Sequence, residues 1–193
     1  TVAGRRIAPA FYELARIKSA TGDLEAAKML LRSAIEIQPT SLQYYLALAT
    51  LLERSGGVAE SITLYEDGIS KNQQAVPLLN NVALLYLSQG DREKALARAQ
   101  TALAQAPQDA NVLDTIGLIH LRSQDAQGAI GFLERAVDYQ PGESQYRYHL
   151  GLGYFETGSL DLAKIELEKA RDRRNDAPWV PDINRLLAAI QER

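Results

Sequence analysis

One interval of 34 residues runs through this chain, and no other feature restricts its fold so tightly. With Ala8, Leu42, Val76, Ala110 and Ser144 as first positions, the units 8–41, 42–75, 76–109, 110–143 and 144–177 abut without insertion or deletion. Their seventh positions are Leu14, Leu48, Val82, Ile116 and Leu150, all aliphatic. Their eighth are Ala15, Ala49, Ala83, Gly117 and Gly151, all small. A period of this length marks stacked helical hairpins, none of which can bury its apolar face without a neighbour.

The punctuation inside each unit agrees. Gly22, Gly56, Gly90 and Gly158 stand at the fifteenth position, where a chain leaving one helix turns through positive φ. Asp23, Asp91, Asp125 and Ser159 follow, each able to accept a hydrogen bond from the free amides that open a second helix. Pro39, Pro107 and Pro141, at the thirty-second position, stop that helix. The spacing predicts helix A from about the second to the fourteenth residue of a unit and helix B from about the seventeenth to the thirtieth. Thr40 and Gln43 have capping-box spacing ahead of the third helix. Ala27, Ala95, Ala129 and Ala163, at the twentieth position, are expected to meet the small eighth residues and let the helix axes approach. Phe11, Tyr45, Leu79 and Leu113, with Leu31, Tyr65, Leu133 and Leu167, fill the remaining core.

The residues at these offsets resemble the tetratricopeptide repeat family, from Ala8 to Ala177. The resemblance implies an all-α fold, a right-handed α-solenoid of helix-turn-helix repeats. Departures from the pattern are Gln124 for the turn glycine of the fourth unit, Arg147 for the aromatic of the fifth, and Ser61, Gly68 and Gln73 in the second. They make residues 72–75 the expected loose point. Beyond the fifth unit, Pro178, Trp179 and Pro181 precede Ile183, Leu186, Leu187 and Ile190 at helical spacing, which reads as a capping helix over about 179–192. Residues 1–193 read as a single elongated domain.

Composition narrows the function classes. A net charge of -3 argues against a phosphate-binding surface, so nucleic acid is not expected. The absence of cysteine removes disulfides and thiolate metal sites and leaves bacterial periplasm and cytoplasm both open. The uncharged stretch 72–90 is interrupted by Asn80, Asn81 and Pro77 and is too short between Pro77 and Gly90 to cross a bilayer core of about 30 Å. No charged-then-apolar leader opens the sequence, and a chain starting at Thr1 without methionine reads as a piece of a longer protein.

Chemistry is thin. His120, at the eleventh position, reads as a core histidine, and His149 has no ligand at metal spacing. Gly151, Gly153 and Gly158 lack the preceding strand of a dinucleotide loop. With no nucleophile beside a base, the chain reads as non-catalytic, without metal or cofactor.

The resemblance implies that A helices line a concave groove through their second, fifth, sixth, ninth and twelfth positions. The partner-binding candidates there are Tyr12, Arg16, Gln43, Asn80, Asn81, Leu84, Asn111, Asp114, Leu118, Tyr148, His149 and Leu152. Leucines at the ninth position would offer an apolar strip, and the amides could grip an extended backbone. Some family members clamp a chaperone's terminal carboxylates with Lys, Asn and Arg. Those places carry Tyr12, Arg16, Ala47, Pro77 and Asn81 here, so that partner is not expected. The resulting expectation is a scaffold that binds a peptide or helix of a partner protein. The abundance of Ala, Leu, Gln and Arg also resembles large bacterial repeat proteins of exopolysaccharide export and exosortase-linked systems. That resemblance implies a periplasmic segment touching assembly partners or polysaccharide.

Overall fold

The computed structural model describes residues 2–174 and 176–192, with side chains from Ile7 onward; Thr1, Asn175 and Arg193 lie outside the described residues. Helices are the regular elements among them. They run α1 Val2–Ala20, α2 Leu24–Ile37, α3 Leu42–Arg54, α4 Val58–Ser70, α5 Val76–Ser88, α6 Arg92–Gln105, α7 Ala110–Arg122, α8 Ala126–Tyr139, α9 Ser144–Glu156, α10 Leu160–Arg173 and α11 Val180–Gln191. The B helices occupy the predicted positions almost residue for residue. Helix α1 is the exception, starting six residues before Ala8 and continuing through Pro9.

Contacts group these helices into two compact units, Thr1–Asp91 and Arg92–Arg193. In the first, α1 packs on α2, α2 on α3, α3 on α4, and α4 on α5. In the second, α6 packs on α7, α7 on α8, α8 on α9, α9 on α10, and α10 on α11. Consecutive A helices also touch, α3 with α5 and α7 with α9.

The close approach expected at the eighth position is present, and its partner is larger than expected. A Cβ on Gly117 would lie 2.5 Å from Leu133 Cγ, and one on Gly151 would lie 2.7 Å from Leu167 Cγ. The glycines therefore admit the leucine at the twenty-fourth position. In the second repeat the twentieth residue does meet the eighth, through Ser61 Oγ donating to the Ala49 carbonyl at 3.2 Å.

The turns follow the glycine pattern. Gly22, Gly56, Gly90 and Gly158 all have φ between 79° and 86°, and Gln124, the substitute in the fourth repeat, is held at φ 60°. Two caps form as expected: Asp23 accepts from Ala26 N and Asp125 from Gly128 N. Ser159 makes no such bond. The N-cap of α3 is Ser41, also without a side-chain bond, so Thr40 and Gln43 do not close the expected box. At the second junction, Asn72 Nδ2 donates to the Gly68 carbonyl at 2.7 Å and Ala75 is fully buried. A Cβ on Gly68 would fall 2.7 Å from Leu78 and 2.8 Å from Tyr45, so the departures that suggested looseness let α5 seat closely.

Arg147 shows how a departure can keep a function. Tyr45, at the fourth position of the second repeat, donates to the Pro39 carbonyl and to Asp67. Arg147, at the same position of the fifth, donates through Nε and Nη2 to the Pro141 carbonyl and through Nη1 to Glu166. A guanidinium thus replaces a phenol on the same proline carbonyl.

The ends of the described chain differ. Helix α11 covers α10, with Ile183 and Leu187 buried against Leu167 and Ala170. On α1, Leu14 is 42% and Ile17 60% exposed, although the equivalent Leu48 and Leu51 are 1% and 5% exposed. The difference is the presence of α2 on α3 and of no described helix on that face of α1. Two outcomes follow. Leu48→Ala will lower unfolding free energy by about 3 kcal/mol and Leu14→Ala by less than about 1 kcal/mol in urea denaturation. Gln124→Gly will raise stability by about 1 kcal/mol, because only glycine occupies the left-handed region without a Cβ clash.

Candidate functional site

The inner positions of α1 and α3 meet at a cleft of about 500 Å³ lined by Tyr12, Ala15, Arg16, Ser19, Leu31, Ala47, Thr50, Leu51 and Arg54, among others. Its floor is apolar: Ala15, Leu31 and Leu51 are buried core residues. Its edge is cationic. Arg16 pairs with the exposed Glu13 one turn away at 2.8 Å, whereas no carboxylate among the described residues lines the cleft beside Arg54. Tyr12 leans on Tyr44, with ring centroids 5.4 Å apart. Thus Tyr12 and Arg16, two of the candidates, share one cavity with Thr50. Ser19 and Arg54 complete it but were not singled out from sequence; Arg54 stands at the thirteenth position, outside the inner set.

The remaining candidates divide by exposure. Gln43 and Asn111 are exposed, and Leu84 is 36% exposed, while Leu118 and Leu152 are half-buried. Asn81 is half-buried and its Nδ2 donates to Tyr65 Oη at 3.3 Å. Asn80 is buried, and its Oδ1 has no hydrogen-bond partner.

In the second unit one pair of candidates is bonded, and two others bond residues outside the set. His149 Nδ1 lies 2.7 Å from Asp114 Oδ1, both side chains being only 8% exposed. Tyr146 donates to Asn111 Oδ1 at 2.8 Å. Tyr148 donates to Asp182 Oδ2 at 2.6 Å and stacks on Trp179, centroids 5.5 Å apart and planes 9° from parallel. Asp182 also pairs with Arg185. Tyr148 therefore anchors α11. The first two pairs are 35 residues apart, and that separation, one period plus one, was the signal available in the sequence: it places side chains of adjacent A helices face to face. His120 departs from the core reading. It is half-buried, stacks on Phe132 and has Nδ1 2.8 Å from Asp125, steadying the residue that caps α8. The backbone amide of Gly128, and then His120, hold the Asp125 carboxyl below the usual range.

Burial pushes Tyr65 and Tyr146 up to about 12, with Glu53 reinforcing the shift at Tyr65 and Asp114 at Tyr146. Both phenols bind their protons more tightly folded than unfolded, where tyrosine titrates near ~10. Their contribution to stability is therefore complete below that value and lost as pH rises through about 12. Urea unfolding measured between pH 9 and 12 will show wild-type stability falling across this window, and Tyr65→Phe will fall less steeply.

No described helix is long and apolar enough to cross a membrane. The tetratricopeptide repeat model matches residues 81–143 and 115–178, and a second model of the same repeat matches 8–41. The chain belongs to the tetratricopeptide repeat family. Among solved structures it is similar to PilF of Pseudomonas aeruginosa, with TM-score 0.78 and 18% identity over 97% of this chain and 90% of that one. A tetratricopeptide repeat protein of Thermus thermophilus gives TM-score 0.71 and 19% identity over 96% and 100%. One from Parabacteroides merdae gives 0.74 and 21% over 96% and 72%. At these identities the likeness shows the fold, an α-solenoid of helix-turn-helix repeats. By sequence, no curated protein matches the chain. The fold generally mediates protein–protein interaction, and its members are generally non-catalytic scaffolds.

Proposed function

We propose that this chain is a non-catalytic scaffold that holds a peptide or helix of a partner protein against the inner faces of its A helices. The observation that carries the reading is the ninth position. Its residues, Arg16, Thr50, Leu84, Leu118 and Leu152, are all exposed or half-buried, although the seventh and eighth positions are buried in every repeat from the second onward. Leucine kept partly in water leaves apolar surface for contact with a partner, Leu152 also packing on the core of its unit. Exposed Gln43 adds an amide able to bond an extended backbone, and Asn111 adds its Nδ2, its Oδ1 accepting from Tyr146. Asp114 and His149 act behind this surface, holding α7 on α9, and Tyr148 anchors α11. A polysaccharide ligand is less well served, because Tyr148 is stacked on Trp179 and Asp114 is occupied by His149.

Aspartate at Leu84, Leu118 and Leu152 tests the reading. Peptides selected on the wild-type protein from a random display library will lose binding to the triple variant by about a hundredfold, while circular dichroism and melting stay unchanged. If the variant unfolds, the leucines are core and the proposal fails.

A further inference from the structure

The eleventh position of a repeat carries a contact that the second repeat lacks. In the third repeat Tyr86 Oη, at that position, donates to Glu66 Oε1 on the preceding helix B at 3.1 Å. In the fifth, Tyr154 Oη donates to Glu134 Oε1 at 2.6 Å. Both glutamates stand at the twenty-fifth position of the repeat before. The corresponding residues at the second repeat are Leu52 and, before it, Arg32, so the ring and its acceptor are both replaced. A cleft of about 620 Å³ lies there between α2 and α4, with Leu52 and Arg32 in its lining. Its floor is Ile35, Leu48 and Leu52, all three buried core residues.

The rim is charged, and its charges do not balance. Arg32 of α2 bridges to Glu60 of α4 at 2.6 Å, and Lys71 pairs with Asp67 at 2.7 Å. These matches leave Glu36, exposed near the end of α2, as the unmatched charge of the lining. Arg32 and Glu60 are both about half exposed, so their bridge is weakened by water and an entering group can part it.

We infer that this cleft binds an aromatic side chain of a partner peptide, a tyrosine followed by a basic residue. The ring lies on Ile35, Leu48 and Leu52, in the gap that an eleventh-position tyrosine spans elsewhere in the chain, and the basic group faces Glu36. Apolar floor and repeat geometry select the ring, and the Arg32 guanidinium can cover its face. The surplus carboxylate selects the cation and disfavours an acidic segment. None of the ninth-position residues lines the cleft, so this site is separate from the A-helix surface and does not depend on it.

Two-dimensional NMR of the ¹⁵N-labelled full chain tests it with three capped dipeptides: tyrosyl-lysine, alanyl-lysine and tyrosyl-glutamate. Tyrosyl-lysine is expected to shift amides of α2 and α4 and to bind at least about fivefold tighter than alanyl-lysine. Its margin over tyrosyl-glutamate will be about two- to threefold at low salt and will shrink as salt rises. Leu52→Tyr with Arg32→Glu, which rebuilds the pair of the third and fifth repeats, will abolish binding while circular dichroism stays unchanged. Glu36→Gln, an exposed change, will remove the preference for lysine over glutamate. Aspartate at Leu84, Leu118 and Leu152 will leave tyrosyl-lysine binding as it is in the wild type. The inference is overturned by absence of any shift with tyrosyl-lysine, by equal binding of the tyrosyl and alanyl peptides, or by binding that survives in the folded double variant. A lysine preference that survives Glu36→Gln, or binding lost in the leucine variant, overturns it as well. If the double variant does not fold, the peptide comparison and Glu36→Gln decide the outcome.

Discussion

The structure depends on steric room at one point in each hairpin. Where helix A meets helix B, the eighth residue is alanine or glycine, and in the fourth and fifth repeats the absent Cβ is the space into which Leu133 and Leu167 fit. Those leucines are fully buried, as are the neighbouring Ile116 and, nearly so, Leu150. Dispersion and hydrophobic transfer both reward such an approach, and neither tolerates an added methyl group. The short turns follow from this spacing, and the ninth residues of the A helices stay exposed or half-buried.

Polar groups then fix how neighbouring repeats sit within a unit. Apolar surfaces alone would allow one A helix to slide or rotate over the next, whereas a buried His149–Asp114 pair and the Tyr146–Asn111 bond are satisfied in one register. Tyr148, bonded to Asp182 and stacked on Trp179, does the same for the terminal helix. The candidate surface is accordingly a veneer of exposed residues over a polar frame.

Much of this could be read from the chain before any coordinates. The period gave the hairpins, and the turn glycines located the breaks, because positive φ leaves a strong compositional mark. The α11 cap was legible from its apolar spacing. Side-chain pairing was not: the inner set placed His149 in a groove, but rotamer and burial decide whether such a residue faces solvent or its neighbour, and no single-sequence pattern encodes them. Gly68 and Ser61 looked like defects, yet each is matched to its neighbours, Leu78 and Tyr45 for the glycine and the Ala49 carbonyl for the serine, which only the packed structure reveals. The cationic cleft was missed because Arg54 lies one position beyond the conventional inner set.

The Arg147–Glu166 pair has a consequence for how such repeats diverge. A tyrosine at this site, as in the second repeat, would leave the nearly buried Glu166 carboxylate with Lys169 as its counter-charge, while losing the glutamate would leave the buried guanidinium with the Pro141 carbonyl and no counter-charge. An unpaired charge of that kind costs about 3–5 kcal/mol, a large share of the stability of most domains. Replacing one of the two alone is therefore costlier than replacing both. Drift away from the aromatic consensus becomes hard to reverse by single steps, and a profile that scores each column alone will undervalue a repeat whose chemistry is intact.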